Sequence, residues 1–429
     1  MSSGAEIVET DSQCTIGPED RLSRLPPELL ERIFELAFEE GPDPKGPASR
    51  ALLPFDRAAR FKGVTIHEPD GYVRLLDLVT RRPDIGGLVK KLECSYEANL
   101  RSDFPFLQLF TLLSNLSALC ICDEYPPPIA EFTFTAAFPL AVPHLKAFNI
   151  EMSYDMVDGW APARYRHLAA LPYLTDLVIR LECSPINLAA IGLTDETYTF
   201  PCLLSLELAS GFYQRPPDET VPMIKACPSL RTLVLVNWEV ADYTQALSAA
   251  PSSLEHLALG VAVDCEVLEW DTQPVAVDTL LPRFPHLTAL HLGPGMFSQT
   301  TLLKNLQHLP ALSSISFGAL AAAGSNLLHR LVSGQSRLPS LKHLKLDMYC
   351  LLHSRGTPEQ PVFSLYCGWT GMWRYYDPTA DPQQLEPDEA AALVAAAARE
   401  GITVDGSVPE AAAQLAEERA KQSGQVETE

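Results

Sequence analysis

Positive charge is scarce in this sequence: 32 Lys and Arg stand against 54 Asp and Glu, a formal charge of −22 over 429 residues. Neutralising a phosphate backbone needs clustered Lys and Arg, so nucleic acid is not an expected partner. Much of the deficit sits at the ends, with five acids and no base in residues 1–20, and twelve acids and three bases in residues 377–429. Such tails aid solubility and name no partner. Long apolar runs are missing too; none reaches the ~20 residues of a membrane span, so no membrane association is expected. The opening MSSGAEIVETDSQC lacks the charged start, apolar stretch and cleavage site of a secretory leader. The ten thinly spread cysteines then read as reduced thiols of a cytoplasmic or nuclear protein, with no structural disulfide.

Familiar catalytic sequences are absent as well: no G-x-S-x-G, Walker loop, dinucleotide fingerprint or H-E-x-x-H occurs. The expectation is a protein that performs no bond chemistry, with no catalytic residue and no cofactor. Cys120 and Cys122 have no second pair at metal-site spacing, so no metal site is expected either. His286, His291 and His343 fall in or beside strands and read as surface imidazoles. The 47% apolar and 20% charged content is that of an ordinary globular chain, so the middle of the sequence folds.

What is present is a repeat. The frame apolar-x-x-apolar-x-apolar, usually introduced by Pro, recurs ten times, beginning at Val89, Leu116, Leu145, Leu174, Leu203, Leu230, Leu254, Leu287, Leu312 and Leu341. PYLTDLVI, PCLLSLEL, PSLRTLVL and PSLKHLKL are nearly superimposable. Helical signals separate the copies, such as Ser298 ahead of TTLLKNLQHL, Asp242 ahead of YTQALSAA, and PDETVPMIKAC from Pro217, each with a plausible cap. The prolines end the preceding helix and bias the next residues towards extended geometry; Pro126–Pro128 alone form a short run and read as a loop. A short strand followed by a helix cannot bury its apolar face alone, and stacking such units can. Period and leucine frame resemble a leucine-rich-repeat solenoid over residues 86–347. That resemblance implies an α/β fold of about ten irregular repeats. One departure stands out: the family's asparagine after the strand is out of register, with only Asn237 near it, so the turns must satisfy their backbone groups by other means.

Residues 22–40, LSRLPPELLERIFELAFEE, place Leu25, Leu29, Ile33 and Leu36 on one helical face, started at Ser23 or at Leu25–Pro26 and stopped by Gly41–Pro42. By pattern alone this amphipathic helix could seal the end of the solenoid. Its wording is similar to the opening of an F-box, the adaptor-binding motif of cullin-type ubiquitin ligases. The resemblance implies that Leu25, Pro26, Glu28, Leu29, Ile33 and Phe34 engage a Skp-type adaptor by helix-in-groove burial, at roughly 1.5 to 3 kcal/mol per fully buried Leu, Ile or Phe before association costs. After Glu40 the Cys and Trp of a standard F-box have no counterpart, and the chain is closer to the shortened F-box-like variant of many fungal proteins. The family reading is a substrate receptor of a Skp–cullin–F-box ligase, with the adaptor, through it a cullin, and an unknown target protein as partners. The alternative is a leucine-rich-repeat scaffold with no adaptor.

In the solenoid frame the residue between the two inward strand positions points to the concave face. Copy by copy it is Glu93, Cys120, Asn149, Val178, Glu207, Val234, Ala258, His291, Ser316 and Lys345. No basic stripe appears, which leaves a protein as the expected partner. Just past the strands lie Tyr125, Tyr154, Phe212, Tyr213, Trp238 and Tyr349. These rings either pack the turns or form a recognition rim; Tyr154, Phe212, Tyr213 and above all Trp238 are the target-binding candidates. The expected organisation is a disordered acidic N-terminus (1–21), an F-box-like region (22–66), the solenoid (86–347), a C-terminal cap (348–405) and a fraying helix with acidic tail (406–429). Trp369, Trp373, Tyr375 and Tyr376 read as part of the cap. An Ala-rich helix from about Asp388 to Arg399, closed by Gly401, is expected to lead into a short strand.

Overall fold

The computed structural model describes residues 61–66, 69–96, 104–123, 132–133, 135–152, 167–181, 199–210, 220–236, 240–260, 276–293, 296–318, 323–334, 336–346, 363–366, 373–376, 387–406, 408–409, 413 and 417. The chain divides into two compact units, Met1–Val64 and Thr65–Glu429. Only residues 61–64 of the first are described, so the F-box-like helix of residues 22–40 lies outside the described residues.

Each of the ten leucine frames forms a strand. After β1 (Gly63–Ile66) come β2 (Lys91–Tyr96), β3 (Ala118–Asp123), β4 (Ala147–Met152), β5 (Asp176–Leu181), β6 (Ser205–Ser210), β7 (Thr232–Val236), β8 (His256–Gly260), β9 (Ala289–Leu292), β10 (Ser314–Phe317) and β11 (His343–Leu346). A separate antiparallel pair follows, β12 (Phe363–Tyr366) and β13 (Trp373–Tyr376), and then β14 (Thr403–Gly406). β14 does more than close the expected cap: it pairs with β11 in parallel and extends the main sheet to twelve strands, otherwise in chain order. Its helix stops as expected, with Gly401 at φ 72°, the left-handed conformation that glycine adopts at low cost.

Helices form the second layer: α1 (Pro69–Arg81), α2 (Pro83–Gly86), α3 (Phe106–Leu112), α4 (Ala137–Ala141), α5 (Thr220–Lys225), α6 (Val240–Ala249), a 3-10 helix (Ala276–Arg283), α7 (Gln299–Leu306), α8 (Ser325–Val332) and α9 (Pro387–Arg399). Consecutive helices touch, so α6 packs on the 3-10 helix, that on α7, α7 on α8 and α8 on α9. Apolar spacing decides which face each buries: Tyr72, Leu75 and Val79 in α1, Leu302, Leu303 and Leu306 in α7, Leu327, Leu328, Leu331 and Val332 in α8. One expected cap shifts, and the other holds its place without a side-chain bond. Asp242 lies inside α6, which begins at Val240. Ser298 is the N-cap of α7 with extended backbone, yet its hydroxyl makes no cap bond. Its own N–H is taken instead by the carboxylate of Asp278 at 3.2 Å, while Asn305 donates to the Asp278 carbonyl at 2.7 Å. Burial raises the Asp278 carboxyl above the ordinary carboxylate range, and the backbone donors oppose it.

The core lies between the layers. Both inward residues of every frame are buried, from Leu92 and Cys94 through Leu206 and Leu208 to Leu344 and Leu346. Ahead of the strands, two devices tie neighbouring repeats together. The carbonyl ahead of each strand from β2 to β10 accepts two N–H groups from the next repeat, as when Lys90 accepts from Ser117 at 2.8 Å and Ala118 at 3.0 Å, and Glu255 from Thr288 at 2.7 Å and Ala289 at 3.1 Å. Hydroxyls supplement them: Ser117 donates to the Lys90 carbonyl, Thr175 to that of Lys146, Thr288 to that of Glu255 and Ser313 to that of Thr288, at 2.9 to 3.2 Å. At the far end of β8, the hydroxyl of the fully buried Tyr243 ring donates to the Gly260 carbonyl at 2.7 Å. Backbone groups that would be costly to bury unpaired are thus satisfied.

Candidate functional site on the open sheet face

Strand register, which alternates side chains between the faces, puts the whole expected central column in line. Glu93, Cys120, Asn149, Val178, Glu207, Val234, Ala258, His291, Ser316 and Lys345 are successive Cα partners, and Asp405 adds an eleventh position. The described residues of this column between Glu93 and Ser316 are half-buried, while the frame leucines on either side of them face the core. One edge of the sheet face also carries a neighbouring column, two residues further along each strand: Cys122, Glu151, Arg180 and Ala209.

The two columns build a polar patch across β3 to β6. Arg180 donates through Nε to Glu207 at 2.6 Å and through Nη1 to Glu151 at 3.3 Å, bridging three strands. Burial works against the guanidinium charge, but the two carboxylates more than offset it, and its pKa is raised. One strand away, the Cys120 and Cys122 sulfurs lie 3.3 Å apart, and the Asn149 amide donates to the Cys120 sulfur at 3.3 Å. The contact between the two thiols lowers the pKa of Cys120 and raises that of Cys122; desolvation and Glu93 oppose the first shift, and Asn149 and Lys91 assist it. The Asn149 amide oxygen is buried without a hydrogen-bond partner. Lys91 and Glu93 pair at 3.1 Å at the edge of the patch. Towards the other end, His291 Nδ1 and the Ser316 hydroxyl are 2.9 Å apart.

Polar, partly desolvated groups of both signs on an open sheet can dock a peptide or protein surface. Among the described residues no group of three or more His, Cys, Asp and Glu converges as metal ligands, and no helix is long and apolar enough to cross a membrane. The adaptor-binding candidates Leu25, Pro26, Glu28, Leu29, Ile33 and Phe34, and the target-binding candidates Tyr154, Phe212, Tyr213 and Trp238, lie outside the described residues. Sequence reasoning found the central column but missed the second. Its signal was present: Cys122, Glu151 and Arg180 recur at the same 29-residue interval as the frames before β3 to β5.

No known protein family matches the chain, and no curated protein matches it. Solved structures do. One is a TLR13–ssRNA13 complex, with 13% identity and a TM-score of 0.34, covering 60% of this chain; the match spans 36% of the TLR13 chain, about a third of its length. Another is the Rad7–Elc1 complex of yeast, with 12% identity and a TM-score of 0.32, covering 78% of this chain and 94% of that one. The architecture stated above is this chain's own: a parallel α/β solenoid whose strands carry the leucine frame.

Proposed function

We propose that this chain is a substrate-recognition subunit of a Skp–cullin–F-box ubiquitin ligase. The open sheet face would hold a target protein, and the helix around LPPELLERIFELA would hold the adaptor. The observation that carries the docking half is the in-register polar column with Arg180 set between Glu151 and Glu207, a prepared and partly desolvated surface. The adaptor half rests on the sequence resemblance of Leu25–Ala37. In this reading the chain makes and breaks no bond itself. It raises the effective concentration of a target near an enzyme recruited by the other subunits.

The test is a pull-down of the full chain from a eukaryotic lysate beside a Leu29→Asp/Ile33→Asp variant with unchanged circular dichroism, probed for the Skp-type adaptor and cullin. Capture by the unmodified chain and loss in the variant is the expected result. Absence of both partners from the unmodified chain, with adaptor present in the lysate, would overturn the proposal and leave a leucine-rich-repeat scaffold.

A further inference from the structure

Three of the cysteines among the described residues sit in two unlike settings away from β3. Cys94 and Cys227 are buried, and burial pushes both thiols up to about 12, so they are inert at neutral pH. Cys202 is exposed and lies in the turn ahead of β6. Cys120 and Cys122 differ from all of these. They are consecutive outward residues of one strand, both half-exposed, with sulfurs already in contact at 3.3 Å. The Asn149 amide holds one of the two sulfurs from the next strand. We infer that Cys120 and Cys122 form a reactive vicinal dithiol on the open sheet face, a modification site that peroxide closes to a reversible disulfide.

Strand geometry permits the bond. Residues two apart on a strand project their Cβ atoms to the same side, with Cα atoms roughly 6.6 Å apart at two strand rises. That is inside, and near the upper end of, the disulfide range of about 4.4 to 6.8 Å. The sulfurs must close from 3.3 Å to about 2.05 Å and the Cβ atoms to about 3.5–4.5 Å, which takes a local shortening of the strand at Ile121 as well as side-chain torsions. A bond formed near the edge of the allowed range is easier to reduce than a relaxed one, so the product is reversible rather than structural.

The surroundings assign the roles. Cys120 accepts the Asn149 amide N–H, which favours its thiolate, and its contact with Cys122 shifts its pKa the same way. Cys122 keeps its proton, held by that same contact and by the charges of Glu151 and Glu93. The charged groups facing the pair from the neighbouring strands are Glu93 and Lys91 on β2 and Glu151 on β4, the last drawn towards Arg180. The Cys120 thiolate therefore attacks the peroxide: an S–O bond forms, the O–O bond breaks, and hydroxide leaves and takes up a proton as water. Cys122 then gives up its proton and attacks the sulfenic sulfur. The S–S bond forms, the S–O bond breaks, and the second oxygen leaves as water. Two thiols and one peroxide give one disulfide and two waters; each sulfur loses one electron and the peroxide gains two.

Closure turns the Cys120 sulfur that accepts from the Asn149 amide into a weaker acceptor, and it replaces a thiolate with an uncharged bridge beside Glu93. The docking face is thereby changed at its most polar end. The dithiol chemistry itself does not rest on the ubiquitin-ligase reading.

Peptide mapping tests it directly, because the tryptic peptide 102–146 contains Cys120 and Cys122 and no other cysteine. The reduced full-length chain is treated with rising hydrogen peroxide, quenched with catalase, alkylated with iodoacetamide and digested. The expected result is loss of both alkylation sites and of two hydrogens' mass in that peptide, reversed by dithiothreitol, at doses that leave Cys202 alkylated. In the Cys122→Ser variant, dimedone should trap a sulfenic acid at Cys120; in Cys120→Ser, trapping at position 122 should be about tenfold slower or more. One equivalent of phenylarsine oxide should protect both thiols of the unmodified chain from alkylation and neither variant's remaining thiol, a readout of proximity that needs no oxidation. If peptide 102–146 keeps two alkylatable thiols while Cys202 oxidises, or runs on to sulfinic acids without a disulfide, the inference is overturned.

Discussion

The two halves of the sheet are built from the same frame and end differently. From β2 to β6 each strand has six residues; β7 and β8 have five, and β9 to β11 have four. A six-residue strand shows three outward positions and a four-residue strand only two. The second column, with Cys122, Glu151 and Arg180, therefore runs from β2 to Val236 and Gly260 on β7 and β8 and ends where the strands shorten to four. Repeat length runs in parallel, since frames start 27 to 29 residues apart from Val89 to Leu230 and then 24, 33, 25 and 29 apart.

The layer behind the sheet differs too. Under β2 to β4 lies a cluster of rings, in which Phe106, Phe110, Phe132 and Phe138 contact one another at centroid distances of 5.6 to 6.5 Å and Phe138 reaches Phe148. Tyr72 meets Phe106 from α1. Under β9 to β11 the helices bury mainly leucine. The largest expected effect comes from breaking the ring cluster. Phe110→Ala should cost about 3–5 kcal/mol, and Leu328→Ala at the other end about 2–5 kcal/mol, read from urea midpoints. Because stacked repeats couple mainly to their neighbours, hydrogen exchange should place the lost protection of Phe110→Ala in β2 to β5 and that of Leu328→Ala in β9 to β11. Uniform loss across all strands in both variants would show that the two halves behave as one unit.

How much of this was legible follows from what each feature depends on. The leucine frame is local and fixed by burial, so its ten strands and their central outward column could be read directly, as could the Gly401 stop and the strand after it. The second column depends on where pairing ends, which is a property of two neighbouring repeats and not of either alone. The hydroxyl and carbonyl ladder ahead of the strands was illegible for a related reason: Ser117, Thr175, Thr288 and Ser313 are ordinary residues until a carbonyl one repeat earlier is brought to them. Sequence pointed to Asp242 and Ser298 as caps; Asp242 lies inside α6, while Ser298 is the N-cap of α7, its N–H held by Asp278, 20 residues upstream.

A smaller effect sharpens the contrast between partly buried and exposed charge. Arg180 is 30% exposed and shared by Glu151 and Glu207, 27% and 18% exposed, whereas Arg231 pairs with Glu255 at 58% and 37%. Removing Arg180 leaves two carboxylates facing each other in a partly desolvated site. Arg180→Ala should cost on the order of 1–2 kcal/mol, discounted for the remaining solvent, and Arg231→Ala less than about 0.5 kcal/mol. A double-mutant cycle with Glu207→Gln should show coupling at Arg180 that 1 M salt reduces only in part. Equal costs at the two arginines would mean that the patch on the long strands is ordinary surface.

The smallest expected effect tests the second column's positions from β8 onwards, which are glycines with His291 beside them: a Cβ added at Gly318 would sit 3.1 Å from His291 Nε2 and 3.3 Å from Cε1, while one added at Gly260 would sit 4.0 Å from the same nitrogen. Neither glycine has a left-handed backbone, so alanine is unstrained at both and should reduce unfolded-chain entropy, a gain of about 0.4–1 kcal/mol. Gly260→Ala should show that gain undiminished. At Gly318 the imidazole must give way by a few tenths of an ångström, against its 2.9 Å contact with Ser316, and a weakened hydrogen bond takes back about 0.5–1.5 kcal/mol. Gly318→Ala should therefore come out near zero, and Ser316→Ala should cost less in its presence than alone. If both alanines stabilise equally and the Ser316 cost does not change, His291 is free to move aside, and the short strands lack a fixed side chain where the long strands carry Arg180.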